Sequence, residues 1–283
     1  PLMRGWQLYS AIIVLLVIII GGIWWLTKEE EIAPEPEVEV VEEVAITEAT
    51  IGTSVEGRAI NAVSFGNGVT HLLFVGGIHG GYEWNSSLLA YEMIDHLTEN
   101  LDLVPNHQTI TIIPDLNPDG TALVTGKDGR FTATDITDPS TRVAEARFNA
   151  NGIDLNRNFD CKWAPESTWR GQTVSAGTAA FSEPEAAALR DWVLTNEPAA
   201  VVFWHSQANN VYASECENGV LPETLALMST YARAGSYGEV PVFDAYPITG
   251  DAEGWLASLG IPAVTVELES ASSIEWQRNL AGF

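Results

Sequence analysis

From about residue 50 the chain alternates short apolar runs with longer segments whose apolar residues recur at helical spacing. Four runs, 71–75 (HLLFV), 109–113 (TITII), 200–204 (AVVFW) and 261–266 (IPAVTV), are rich in β-branched residues and nearly unbroken by polar ones. A strand with one wet face alternates apolar and polar side chains, so an unbroken run predicts a strand buried on both faces. Between these runs, SSLLAYEMIDHLTEN (86–100) and LPETLALMSTYARAG (221–235) read as amphipathic helices. Ser182 and Glu185 form a capping-box pattern around Pro184, leading into a third helix, AAALRDWVL. Strands alternating with helices predict an α/β domain: a mixed, mostly parallel twisted sheet with helices on both faces.

The pattern changes at the N-terminus. Residues 8–26 (LYSAIIVLLVIIIGGIWWL) carry no charge and are apolar on every side, which predicts a single transmembrane helix. A cleavable signal peptide is the rival reading, but no A-x-A-like site follows the run. Residues 1–7 are then a short cytoplasmic segment, within which Met3 is a candidate initiator. Residues 27–49, rich in Glu, Pro and Val, read as an acidic stalk whose like charges keep it extended. The catalytic domain is expected over 50–283, outside the cytoplasm.

Composition narrows the partners. The net charge is −25, with 38 acidic residues against 13 basic ones, and only Lys28, Lys127 and Lys162 are lysines. No basic stripe exists to neutralise phosphates, which argues against nucleic acid. Cys161 and Cys216 lack the spacing of a zinc–thiolate site; outside the cytoplasm they form one disulfide or remain two buried thiols.

Candidate chemistry gathers where strands end. In open α/β sheets, ligands bind at the carboxyl ends of the strands. His79 follows one strand-like run in FVGGIHGGYEWN, His205 ends a second (VVFWHS), and Glu267 ends a third (VTVELE). Catalytic zinc in hydrolases is held by imidazoles and a carboxylate with one position left open, and His79, Glu83 and His205 supply that set. The glycines around His79 let the backbone turn sharply enough to bring His79 and Glu83 together. A second, unligated carboxylate must then move the proton, and Glu267 is placed for it. Taken singly, each of these is an ordinary loop residue; His71, His96 and His107 have no such placement.

Over roughly residues 50–275 the chain resembles the zinc metallocarboxypeptidases of the carboxypeptidase A type. The matching segments occur in family order: GTSVEGRAI, GGIHGGYE, NPDG, GIDLNRNF, FSEPE, FWHS, YPITG and TVELE. The resemblance implies one Zn2+ per chain held by His79, Glu83 and His205, with Glu267 as general base. It implies Arg147 as the group that polarises the scissile carbonyl, although Arg142 competes for that role. Asn156 and Arg157 resemble the pair that grips a substrate's terminal carboxylate, a task suited to a planar guanidinium. Tyr246 resembles the tyrosine that closes over the substrate. Glu253 falls at the position that selects the C-terminal side chain, which implies a preference for basic residues; the bland alternative points it to solvent at a helix start.

Two departures stand out. The family motif is H-x-x-E, whereas His79 and Glu83 have three residues between them. The family also continues with a further helix after its glutamate, of which 274–283 (IEWQRNLAGF) is expected to be the beginning. Three functions remain in play: a membrane-anchored carboxypeptidase, a cell-wall peptide amidase or endopeptidase on the same scaffold, and a non-catalytic peptide-binding module.

Overall fold

The computed structural model describes residues 3–27, 45–136 and 143–283. Most of the expected stalk, and Arg142, lie outside these. The chain divides into two units, 1–43 and 44–283. In the first, helix α1 (Met3–Leu26) contains an uncharged span, Tyr9–Leu26, long and apolar enough to cross a membrane.

The second unit carries, in chain order, β1 (Ile46–Thr53), β2 (Ala59–Phe65), β3 (Thr70–Val75), α2 (Trp84–Glu99), β4 (Gln108–Ile113) and α3 (Pro118–Thr125). A hairpin of β5 (Glu166–Trp169) and β6 (Gln172–Ser175) follows, then α4 (Pro184–Asn196), β7 (Ala200–Ser206) and β8 (Asn210–Ala213). A small ladder of β9 (Glu215–Cys216) and β10 (Gly219–Val220) precedes α5 (Pro222–Gly235), β11 (Gly238–Val240), α6 (Ala252–Ser258), β12 (Ala263–Leu268) and α7 (Trp276–Gly282). Eight strands form one sheet in the order β1-β2-β4-β3-β7-β12-β8-β11. The four central strands, β4, β3, β7 and β12, run parallel, and antiparallel pairings join β1, β2 and β8 to them.

The unbroken apolar runs are explained by two hydrophobic layers. Alternate residues of β7 go to opposite faces: Val202 and Trp204 pack toward α2 and α5, Val201 and Phe203 toward α4 and α6. In β12, Val264 and Val266 join the first layer and Ala263 the second. At their carboxyl ends the same alternation places His205, Thr265 and Glu267 on the α4/α6 side.

Two expectations are corrected. The domain begins before residue 50, because β1 from Ile46 pairs with β2. β1 is a mostly exposed edge strand with a bulge between Thr50 and Gly52, so it carries no apolar run. The capping box at Ser182 does not form: the N-cap of α4 is Glu183 and has no side-chain cap bond. Ser182 Oγ donates to Glu183 instead, while Glu185 accepts from the Val55 amide and from Asn149. The pattern still marks a helix start, but its carboxylates tie α4 to neighbouring loops. The region after Glu267 does form a helix, α7, joined to α5 by the Tyr231–Asn279 hydrogen bond at 2.8 Å.

Candidate active site

Beyond Val75 the chain turns through two glycines to His79, and a 3-10 turn over Gly80–Glu83 leads directly into α2. Side chains three or four positions apart on a helical turn share one side. His79 and Glu83 therefore converge despite the additional residue between them. Gly80 permits the approach: its φ is +47°, and a Cβ there would lie 2.8 Å from the Ala146 carbonyl oxygen. His205, near the end of β7, completes the group. One donor atom from each of His79, Glu83 and His205 lies within 4.8 Å of the others, and all three side chains are buried. A buried trio of two imidazoles and one carboxylate fits zinc.

Arg147 and Asp154 border the trio. Arg147 Nε donates to Asp154 Oδ2 at 2.9 Å, its Nη1 lies 3.8 Å from Glu83 Oε1, and its guanidinium sits over the Trp169 ring at 4.7 Å. The other oxygen of Asp154 is 3.7 Å from His79 Nδ1, beyond hydrogen-bond reach. Glu83 Oε2 is 3.2 Å from His205 Nδ1 and accepts the Ser206 amide at 3.1 Å. Burial alone would lower the His205 pKa, but the adjacent carboxylates of Glu253 and Glu83 prevail and push it up to about 10.

Asn156 and Arg157 sit in a 3-10 turn over Leu155–Arg157, capped by Asp154. Asn156 Oδ1 accepts the Ala252 amide at 2.8 Å, which fixes that end of the side chain on α6. Arg157, only 4% exposed, donates to the carbonyls of Asn156 and Thr168, and its Nε has no hydrogen-bond partner among the described residues. Gly250 packs directly beneath: with φ at +70°, a Cβ there would come 2.1 Å from the Arg157 carbonyl oxygen. The Cys161–Cys216 disulfide ties the end of this segment to β9.

Glu267 is the register partner of His205 across the β7–β12 pairing. Tyr246 stands at the rim, 38% exposed, with its ring edge-on to Phe243 at 4.8 Å. All nine expected site residues line one cavity of about 760 Å3.

Glu253 does not point to solvent, the blander of the two expectations for it. It lies in the first turn of α6, yet it is 4% exposed rather than solvated. Its Oε1 is 3.2 Å from His205 Nε2 and accepts Thr265 Oγ1 at 2.8 Å. Burial alone would raise its carboxyl, and the adjacent imidazole instead holds it below the ordinary value. Its carboxylate thus lies against His205 while lining the same cavity as the other site residues.

Asp154, Trp169 and Thr265 were not singled out from the sequence. Asp154 sits inside the GIDLNRNF segment, where a carboxylate flanked by Asn156 and Arg157 was the available signal. Nothing local marks Trp169 or Thr265, since both act through contacts distant in the chain.

The zinc carboxypeptidase family model matches residues 44–277. The chain is 27% identical to gamma-D-glutamyl-L-diamino acid endopeptidase 1 of Lysinibacillus sphaericus over 243 residues, covering 79% of this chain and 60% of that protein. It is 26% identical to carboxypeptidase B of Helicoverpa zea over 266 residues, covering 84% and 59%. The chain thus spans about three-fifths of the length of these relatives. Among solved structures, the murein-tripeptide amidase of Escherichia coli O157 shares its fold, with a TM-score of 0.59 at 22% identity over 83% of this chain and 92% of that one.

Proposed function

The chain belongs to the zinc carboxypeptidase family, and from that premise we propose that it removes the C-terminal residue of peptides bearing a free terminal carboxylate. The observation that carries this reading is Arg157, a nearly buried guanidinium whose Nε has no partner among the described residues, lining the same cavity as the His79–Glu83–His205 trio. A buried cation with spare donors favours an anion, and a guanidinium binds a carboxylate through two parallel bonds.

His79, Glu83 and His205 are the residues that would hold the metal. Zinc held there would supply a Lewis acid that acidifies water and polarises a carbonyl. Glu267 accepts the proton of the attacking water and passes it to the departing amine, so one carboxylate serves as base and then acid. Arg147, held by Asp154 and the Trp169 ring, offers its outer nitrogens to the negative charge that develops on the scissile carbonyl oxygen. A donor aimed at developing charge in a buried site stabilises the transition state more than the ground state. Asn156 and Arg157 fix the terminal carboxylate, and Tyr246, from its exposed rim position, closes over the substrate.

A second reading, a cell-wall peptide amidase or endopeptidase, is favoured by similarity to the endopeptidase of Lysinibacillus sphaericus and to the murein-tripeptide amidase fold. A murein peptide also ends in a carboxylate, so the clamp serves either substrate. In both readings α1 anchors the chain, with the catalytic unit outside the cytoplasm. The Cys161–Cys216 disulfide agrees with that location.

Digestion of matched peptides with free and amidated C-termini, alongside murein tripeptides, with products identified by mass, separates the possibilities. Single-residue trimming of free-acid peptides supports the exopeptidase. Equal trimming of amidated peptides rules it out, and cleavage confined to murein peptides favours the second reading.

A further inference from the structure

Glu253, buried in the first turn of α6, presents its carboxylate to the face of His205 that points away from Glu83. Of the two ring nitrogens of His205, Nδ1 lies 3.2 Å from Glu83 Oε2 and Nε2 lies 3.2 Å from Glu253 Oε1. The ring is thus held between two carboxylates on opposite edges, with 2% of its surface exposed.

Glu253 is itself held. Thr265 Oγ1 donates to the same oxygen at 2.8 Å. Thr265 precedes Glu267 by two positions on β12, so both share one face of the strand. The neighbouring Ala252 amide donates to Asn156, and the N-cap of α6, Asp251, accepts from the Gly254 amide. These contacts leave the Glu253 side chain little freedom to turn toward a ligand.

We propose that Glu253 is a positioning residue for the metal centre: its carboxylate, 3.2 Å from His205 Nε2, keeps the proton on that nitrogen and thereby presents Nδ1 as the lone-pair donor beside Glu83. A neutral imidazole carries one proton, and a carboxylate on one nitrogen leaves the other free to ligate. An outer carboxylate of this kind fixes tautomer and ring orientation and makes the ring a better donor. Thr265 fixes Glu253 in turn, so helix α6 and strand β12 both act on the metal through His205. This inference rests on the assignment of His79, Glu83 and His205 as ligands, and it adds a function for a carboxylate otherwise expected to read the substrate's side chain.

Zinc affinity measured by chelator competition on the whole chain tests the proposal, comparing the wild type with Glu253→Gln, Glu253→Ala and Thr265→Val. Glu253→Gln keeps the shape and an acceptor oxygen but removes the charge, and so guards against a variant that fails to fold. Zinc affinity is expected to fall roughly 10- to 100-fold in Glu253→Ala, by less in Glu253→Gln, and least in Thr265→Val. The visible spectrum of the Co2+-loaded protein should shift in Glu253→Gln, reporting altered ligation independently of turnover. Unchanged zinc affinity and Co2+ spectrum in both Glu253 variants overturn the proposal. Selective loss of C-terminal Lys release at unchanged zinc affinity also overturns it and returns Glu253 to substrate selection. If the wild type takes up no zinc, the ligand assignment itself fails, an outcome distinct from either of these.

Discussion

Glu267 and His205 are register partners on adjacent parallel strands, β12 and β7, and both face the cavity. The sheet itself therefore sets the spacing between the proposed base and the metal centre, and no loop conformation has to be maintained for it. If Glu267 moves the proton without binding the metal, Glu267→Gln should reduce turnover by about 10^2- to 10^4-fold while zinc content stays at the wild-type level. Wild-type turnover in this variant removes the assignment, and lost zinc would make Glu267 a ligand instead.

Removal of the metal should abolish activity, and stoichiometric zinc should restore it. Glu83→Ala should bind zinc far more weakly than the wild type, because it deletes one of three buried donors and leaves Arg147 beside an empty position. Competition with a colorimetric chelator reads this directly. Retention of tight binding in Glu83→Ala would show that another acid completes the set.

Arg157→Lys preserves charge but not the fork. Its kcat/KM on free-acid peptides should fall by about 10- to 100-fold, the worth of a charged hydrogen bond, with little change on any substrate that lacks the carboxylate. A uniform loss on both substrate types would mean that Arg157 supports the loop and does not grip the peptide.

Gly250→Ala introduces a Cβ at 2.1 Å from the Arg157 carbonyl oxygen, in a backbone conformation with φ at +70°. The expected penalty is about 1–3 kcal/mol of stability, seen as a lower Tm. KM for free-acid peptides should also rise, because the displaced atom belongs to the clamp. An unaltered Tm would show that this junction yields easily.

Asp115, buried beneath the first zinc loop, supplies a pH signature away from the metal ligands. Burial raises its carboxyl to about 7, against which the Thr121 hydroxyl and the Asn117 backbone act only partly. Between about pH 4 and 7 the folded chain therefore holds a proton that the unfolded chain has released. Stability falls as pH rises through that window and levels off above it. Asp115→Asn, neutral at every pH, should be the more stable protein at pH 8 by on the order of a few kcal/mol, read as a higher Tm, with the difference gone near pH 4. Parallel pH profiles of Tm for the two proteins would refute this.

The parallel core of the sheet was legible because strands buried on both faces must be apolar at every position; β3, β4, β7 and β12 all announced themselves this way. β1 did not, being a solvent-facing edge, and neither did β8 or β11, which are short. The ligands could be read because strand ends are where an α/β sheet collects its chemistry. Glu253 could be located but not understood: its partner His205 lies 48 positions earlier in the sequence, and only the packing of α6 against β12 brings the two together. Trp169 was invisible for the same reason, since its relation to Arg147 depends on how the β5–β6 hairpin folds over the cavity.

The helical turn at Gly80–Glu83 bears on how distant kin of this chain should be sought. A text pattern that insists on two letters between the histidine and the glutamate would discard it. A criterion phrased as one revolution of backbone, admitting either two or three intervening letters, would keep it. The quantity held constant is the direction in which two side chains leave a coil, and counting characters is only a proxy for that angle.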